Sequence, residues 1–268
     1  MRPRVFIGSS AEALPVARST ARALKPHSTP ILWEKDVFLP STFFLDGLFD
    51  EVQKCQLALF VFSNDDVVRL RGRMYNATRD NVVFELGLFM TKLGRPNCLF
   101  LVPQTKQPFR LPSDLKGLSY ISYETAAVKR NPKTGLKPAI EELKATIDKL
   151  IEGDGSRLSL TGKWAERWNV TSKTFKANNA SNAEIMQIGE RLYGTSKANG
   201  RVYLLEGQIE HGDIFSGRWF DQQKGATYCG MFQLRIRGDA QEMKGQWIGF
   251  SSSSGEIKSG TWLWRRRE

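Results

Sequence analysis

Up to about residue 151 the chain alternates short apolar runs with stretches whose apolar positions recur every three to four residues. The runs centre on Val5-Phe6-Ile7, Ile31-Leu32-Trp33 and residues 57–62, 98–102 and 118–121. Between them Leu14, Ala17, Ala21 and Leu24 share one helical face, as do Phe44, Leu45, Leu48, Phe49 and Val52. Residues 82–93 are apolar on nearly every side, which predicts a helix packed between other elements. A last helix, entered by Pro138, repeats through Ile140, Leu143, Ile147 and Leu150. Strand and helix alternating over five units predict an α/β fold on a parallel, doubly wound sheet.

Beyond Ile151 the pattern changes. Glu152-Gly153-Asp154-Gly155-Ser156 suits a flexible linker, which divides the chain into residues 1–151, a linker 152–158 and residues 159–268. The last part alternates with period two over residues 202–209, 215–220, 228–236, 243–250 and 257–264, each broken by glycine turns, and predicts an antiparallel meander. Within it Gly-x-Trp recurs at Gly162-Lys163-Trp164, Gly217-Arg218-Trp219, Gly245-Gln246-Trp247 and Gly260-Thr261-Trp262. Glycine and indole two positions apart lie on one strand face, as a small closed barrel requires where strands bend and a large side chain fills the centre. Six of the seven tryptophans lie in this half, most as core, the remainder free to line a mouth and stack a planar ligand.

Composition narrows the chemistry. A chain of 268 residues exceeds the usual single domain, and its 41% hydrophobic content supports two globular cores without any run long enough to span a membrane. The N-terminus MRPRVFIGSS has no signal-peptide apolar segment, so the expectation is a cytoplasmic protein. Three scattered cysteines (Cys55, Cys98, Cys229) read as buried reduced thiols. Two isolated histidines argue against a zinc site or a His-based triad, so no metal is expected. The net charge of +11 divides into 22 basic against 17 acidic residues up to residue 154 and 17 against 11 beyond it. Spread without a stripe, it disfavours a nucleic-acid partner and suits attraction of small anions such as nucleotides.

Two motifs carry candidate chemistry. Gly8-Ser9-Ser10-Ala11-Glu12 follows the first strand: Gly8 permits a tight turn, Ser9 and Glu12 have capping-box spacing, and a hydroxyl-rich helix start at the sheet's carboxyl edge is a place for phosphate as well as a plain cap. The run from Arg79 to Phe89 holds Glu85, the only acid among apolar residues from Val82 to Met90, one helical turn after Asn81. A buried carboxylate costs several kcal/mol unless paired. It is therefore either a structural ion pair, with Arg79 or Arg95, or a cleft carboxylate in a perturbed environment.

In order and spacing, Val5-Phe6-Ile7-Gly8-Ser9-Ser10, Leu32-Trp33, Val37-Phe38, Phe60-Val61-Phe62, Asn64-Asp65-Asp66-Val67-Val68, the Arg79–Phe89 run, Leu93-Gly94-Arg95 and residues 111–117 resemble the TIR-like nucleotide-binding family of prokaryotic antiphage effectors. That family includes the TIR domains of bacterial TIR-STING proteins and of effectors in cyclic-nucleotide defence systems. The resemblance covers about residues 3–124 and implies a flavodoxin-like fold with a five-stranded parallel sheet that cleaves NAD+ as substrate, with no cofactor. It implies Glu85 as the catalytic acid, Phe6, Gly8, Ser9 and Ser10 as the first nucleotide-facing loop, Trp33 and Phe38 flanking the nicotinamide, and Asp80 and Asn81 as support. Gln53-Lys54-Cys55-Gln56 departs from the family's aspartate-bearing turn, far from the glutamate.

The Gly-x-Trp half resembles a calycin or lipocalin-type barrel. A second domain is expected to act as a sensor that restrains the enzyme. The resemblance implies a cyclic oligonucleotide as signal, with Trp219, Arg218, Arg235 and Arg237 as candidate ligands and a homo-oligomer or filament as the active form. Two alternatives stay open: a non-catalytic TIR scaffold, and a barrel that takes a lipid, peptide or phage protein.

Overall fold

The computed structural model describes residues 2–36, 44–112, 115, 120–152, 159–171, 176–198, 200–223, 228–251 and 254–267. It divides the chain into two compact units, Arg2–Asp148 and Lys149–Glu268.

In the first unit four apolar runs become strands β1 (Arg4–Ser9), β2 (Thr29–Leu32), β3 (Leu57–Val61) and β6 (Cys98–Gln104), and the run at 118–121 ends where β7 (Ile121–Glu124) begins; all five strands are parallel, in the order β2-β1-β3-β6-β7. β3 is buried at every position, as a strand covered on both faces must be. Helices α1 (Leu14–Leu24), α3 (Phe44–Lys54), α4 (Asp80–Leu93) and α7 (Lys137–Glu152) fall where the periodicity put them. α4 turns Val82, Leu86, Phe89 and Leu93 into a core shared with Phe6, Phe60, Phe62 and Phe100. Phe6 stacks on Phe89 with centroids 4.2 Å apart. Strand order reverses between β1 and β3, which opens a crevice at their carboxyl ends.

Three short features escape the periodicity. Trp33 is the first residue of a one-turn helix, α2 (Trp33–Asp36), and not the end of a strand. A hairpin of β4 (Asp66–Leu70) and β5 (Arg73–Ala77) stands between β3 and α4, its turn made by Arg71 and Gly72 with φ of 48° and 84°. Its strands are mostly exposed, so no apolar alternation marks them. Two short helices, α5 (Thr125–Arg130) and α6 (Pro132–Gly135), lead into α7.

The second unit is a closed, eight-stranded antiparallel barrel: β8 (Gly162–Thr171), β9 (Lys176–Ile188), β10 (Arg191–Ala198), β11 (Arg201–Glu210), β12 (Ile214–Asp221), β13 (Tyr228–Ile236), β14 (Glu242–Ser251) and β15 (Ile257–Arg266). Each strand pairs with the next, and β15 closes on β8. One end is packed solid by Trp164, Trp264, Phe215, Leu234, Ile236 and Met243, and the Arg266 guanidinium lies 4.8 Å from the Trp164 ring centroid. The Gly-x-Trp glycines let strands approach where a side chain could not fit: a Cβ on Gly245 would lie 1.9 Å from the Gln233 carbonyl oxygen, and one on Gly260 equally close to that of Asn169. β8 as a whole, β9 and β10 were not anticipated. The interior positions of β9 and β10 include Asn179, Ser181, Ala183, Ser196 and Ala198, too small and polar to register as an apolar stripe.

Candidate active site

The carboxyl ends of β1 and β3 carry a chain of hydroxyl groups across the crevice. Ser9 ends β1 and Ser10 follows it, both buried. The Ser10 hydroxyl accepts from the Ala13 amide at 3.1 Å and meets the Ser63 hydroxyl at 3.1 Å, and Ser63 donates to Asp65 at 2.6 Å. Ser9 accepts from the Trp33 indole at 3.0 Å, so the ring is tied to the strand edge beside it. The Ser9–Glu12 capping box does not form. Ala13 is the N-cap of α1 without a side-chain bond, and Glu12 turns outward to Arg79 at 2.6 Å, an ion pair extended by Asp66 at 3.6 Å from the same guanidinium.

Glu85 sits on the buried stripe of α4 between Val82 and Phe89, 5% exposed. Neither Arg79 nor Arg95 pairs with it. Its Oε2 is enclosed without a hydrogen-bond partner, and burial pushes its pKa up to about 7. Two other buried glutamates behave differently. Glu51 is held by Arg4 at 2.9 Å and Lys54 at 3.2 Å, and Glu166 of the barrel accepts from Ser181 and Ser196. Glu166 shares part of the burial cost, since its Oε1 is also enclosed without a partner and its pKa is also pushed up to about 7. Of these three, Glu85 alone has no serine, lysine or arginine bonded to it, an environment that suits a group kept for chemistry.

Several expected site residues occupy other roles. Phe6 is not in a loop: it is fully buried in the middle of β1 beneath the crevice. Gly8 also lies within β1, where a Cβ would come within 2.7 Å of the Phe60 ring, so its service is to packing and not to a turn. Asp80 and Asn81 form the exposed first turn of α4, with Asp80 favourably placed at the positive helix end. Phe38 lies outside the described residues. Ser63, Asp65 and the Glu12–Arg79 pair were missed, because nothing local in the sequence links residues fifty or more positions apart. Among the described residues no group of His, Cys, Asp or Glu could hold a metal ion, and no helix is long and apolar enough to cross a membrane.

Residues 4–125 match the model of a protein family described as CAP12/Pycsar effector protein, TIR domain. Residues 4–125 form a TIR domain. Over 147 residues the chain is 37% identical to Pycsar effector protein PaPycTIR of Pseudomonas aeruginosa, an alignment covering 54% of this chain and 47% of that protein. It is 40% identical over 122 residues to BcPycTIR of Burkholderia cepacia, covering 45% and 40% respectively. Similarity extends to CD-NTase-associated protein 12 of a Lachnospiraceae bacterium, at 33% over 150 residues, 56% of this chain and 45% of that one. The chain thus spans about half the length of these curated relatives, and none of these alignments is long enough to hold both units.

In the barrel, Trp219 points inward, laid flat over Gly230 and Gly249, where a Cβ would meet its ring at 2.7 and 2.4 Å. Arg218, Arg235 and Arg237 do not join it. The first two alternate to the outer wall, Arg237 follows β13, and all three are exposed and paired: Arg218 with Glu206 at 2.8 Å, Arg235 with Asp213 at 3.1 Å, and Arg237 with Glu242 at 3.0 Å. Period-two alternation puts Arg218 and Trp219 on opposite faces by necessity. Cys55 and Cys98 are buried as expected, whereas Cys229 is exposed on the outer face of β13.

Proposed function

We propose that the chain is an antiphage effector whose TIR domain hydrolyses NAD+ at the bond between nicotinamide and ribose, with Glu85 as the catalytic carboxylate. The observation that carries this reading is the buried, unpaired Glu85 on the helix that packs against β1 and β3. Nicotinamide leaves from an already cationic state, so its departure needs no general acid, and positive charge develops on the ribose in an oxocarbenium-like transition state. A single carboxylate in a low-dielectric setting stabilises that charge and binds the ribose hydroxyls. The indole of Trp33, fixed by Ser9, offers a face to the nicotinamide ring. The Ser9–Ser10 edge and the amino end of α1 suit the pyrophosphate.

The barrel acts in this reading as the sensor: a nucleotide signal binds it and drives assembly into oligomers or filaments in which the TIR domains become active. A scaffold without catalysis would have no use for an unpaired buried acid. The test is release of nicotinamide from NAD+ by the purified chain, alone and with cyclic mono-, di- and trinucleotides. Release that disappears in Glu85→Gln supports the reading, and equal release by wild type and Glu85→Gln overturns it. Sedimentation of the same mixtures checks assembly, which should accompany activation.

A further inference from the structure

The barrel contains a cavity of about 490 Å³ at the end opposite its tryptophan plug. The volume falls in the range of a pocket for one small molecule, roughly 300–1,000 Å³. Its wall is aromatic: Trp168, Tyr203, Trp219, Tyr228, Trp247 and Trp262 face the space, while Ala198, Gly249 and Ser251 leave it open. The rings hold one another in place. Trp219 meets Tyr203 edge-on at 5.7 Å and Trp247 at 6.0 Å, and the Trp247 indole donates to the Asn169 carbonyl at 3.1 Å. Such a wall is prepared before any ligand enters, which lowers the ordering cost of binding.

Charge in the cavity has one sign. Arg201 and Lys258 line it, and among its described lining residues there is no aspartate or glutamate. Arg201 is fixed by Asp221, whose side chain is fully buried, and its guanidinium lies 5.4 Å from the Tyr228 ring centroid. Lys258 is held only loosely, 3.6 Å from the exposed Glu256 carboxylate, a contact it gives up at little cost. On the floor, the Ser196 hydroxyl donates to buried Glu166, and its oxygen keeps the capacity to accept.

We propose that the barrel interior binds a planar aromatic anion with one ring system and one acidic group, of mononucleotide size, the ring lying among Trp219, Trp247 and Tyr203 and the anion meeting Lys258 and Arg201. A long aliphatic tail finds no match in a wall of indoles and phenols with two cations, and a cyclic dinucleotide carries a second ring and a second phosphate. This deepens the sensor reading and rests on it for biological role, though not for the binding itself.

The test is titration of the full chain, read by tryptophan fluorescence and calorimetry, with nucleoside 3′,5′-cyclic monophosphates, the matching uncharged nucleosides, a cyclic dinucleotide and indole-3-acetate. The expected result is saturable binding of a cyclic mononucleotide or of indole-3-acetate, and which of the two binds identifies the source of the ligand. An uncharged nucleoside should bind about tenfold more weakly or worse, the loss of one charge-assisted contact. Lys258→Ala removes a half-exposed side chain, keeps the melting temperature and weakens binding by about the same factor. Ala198→Trp fills the cavity and abolishes binding; should it fail to fold, Lys258→Ala carries the test. Absence of saturation by every aromatic anion, equal binding of nucleoside and cyclic phosphate, or unchanged affinity in Lys258→Ala overturns the proposal. Binding without any effect on NAD+ cleavage keeps the cavity assignment and defeats the effector reading. Activation by a cyclic dinucleotide that leaves barrel fluorescence unchanged does the reverse.

Discussion

Glu85 couples function to stability at a single carboxyl group. Its pKa, near 7 in the fold, stands above the ordinary value of 4.5, so between those limits the folded chain binds a proton that the unfolded chain releases. Folding stability therefore falls as pH rises through that window, by about 3 kcal/mol once the window is passed. Glu85→Gln, neutral at every pH, should melt at the same temperature as wild type near pH 4 and higher by several degrees at pH 8, while nicotinamide release is lost. Thermal melts at the two pH values check the first expectation and a product assay the second. The proposed reaction needs the ionised carboxylate. The pH profile of kcat/KM should accordingly rise to a plateau through about pH 7, and a plateau reached already near pH 5 would contradict the role. The acid's isolation in an apolar run was legible from the sequence; that neither Arg79 nor Arg95 reaches it was not, because Arg79 is drawn to Glu12 across 67 residues.

At the scale of elements, periodicity located the long helices and the buried strands and passed over whatever lacked a buried face. The β4–β5 hairpin exposes most of its side chains, and β9 and β10 line the hollow part of the barrel with small polar residues. Both fail to alternate for a physical reason: one has no core to face, the others face a cavity. Glycine carried more information than hydropathy in this half. Gly260→Ala would force a Cβ to within 1.9 Å of the Asn169 carbonyl oxygen, at the seam where β15 closes on β8. The expected cost is about 1–3 kcal/mol of barrel stability, read as a lowered denaturation midpoint. The neighbouring Thr261→Ala, which removes only a hydroxyl bond to Asn169 on the outer face, should cost about 1 kcal/mol or less.

For the whole molecule, each unit buries one glutamate whose pKa stands near 7, Glu85 in the TIR domain and Glu166 in the barrel. Both lose stability in the same direction as pH rises from about 4.5 to 7, and they share no partner. Glu85→Gln and Glu166→Gln should each flatten the stability–pH curve, and the double variant should flatten it by the sum, as denaturant titrations at pH 5 and pH 8 would record. The sequence by itself determined the order of the long helices and buried strands of the first unit, the parallel sheet, the change to antiparallel strands after residue 151 and the isolated acid on its helix. These follow from side-chain period and from the cost of burying charge, both of which are local. Tertiary structure alone decided that Ser10 meets Ser63, that Glu85 stays unpaired, that Arg218, Arg235 and Arg237 pair with acids away from the cavity and that Arg201 and Lys258 line an aromatic cavity. Those facts depend on which distant strands become neighbours and on which face of each strand closes inward, and no local pattern encodes either.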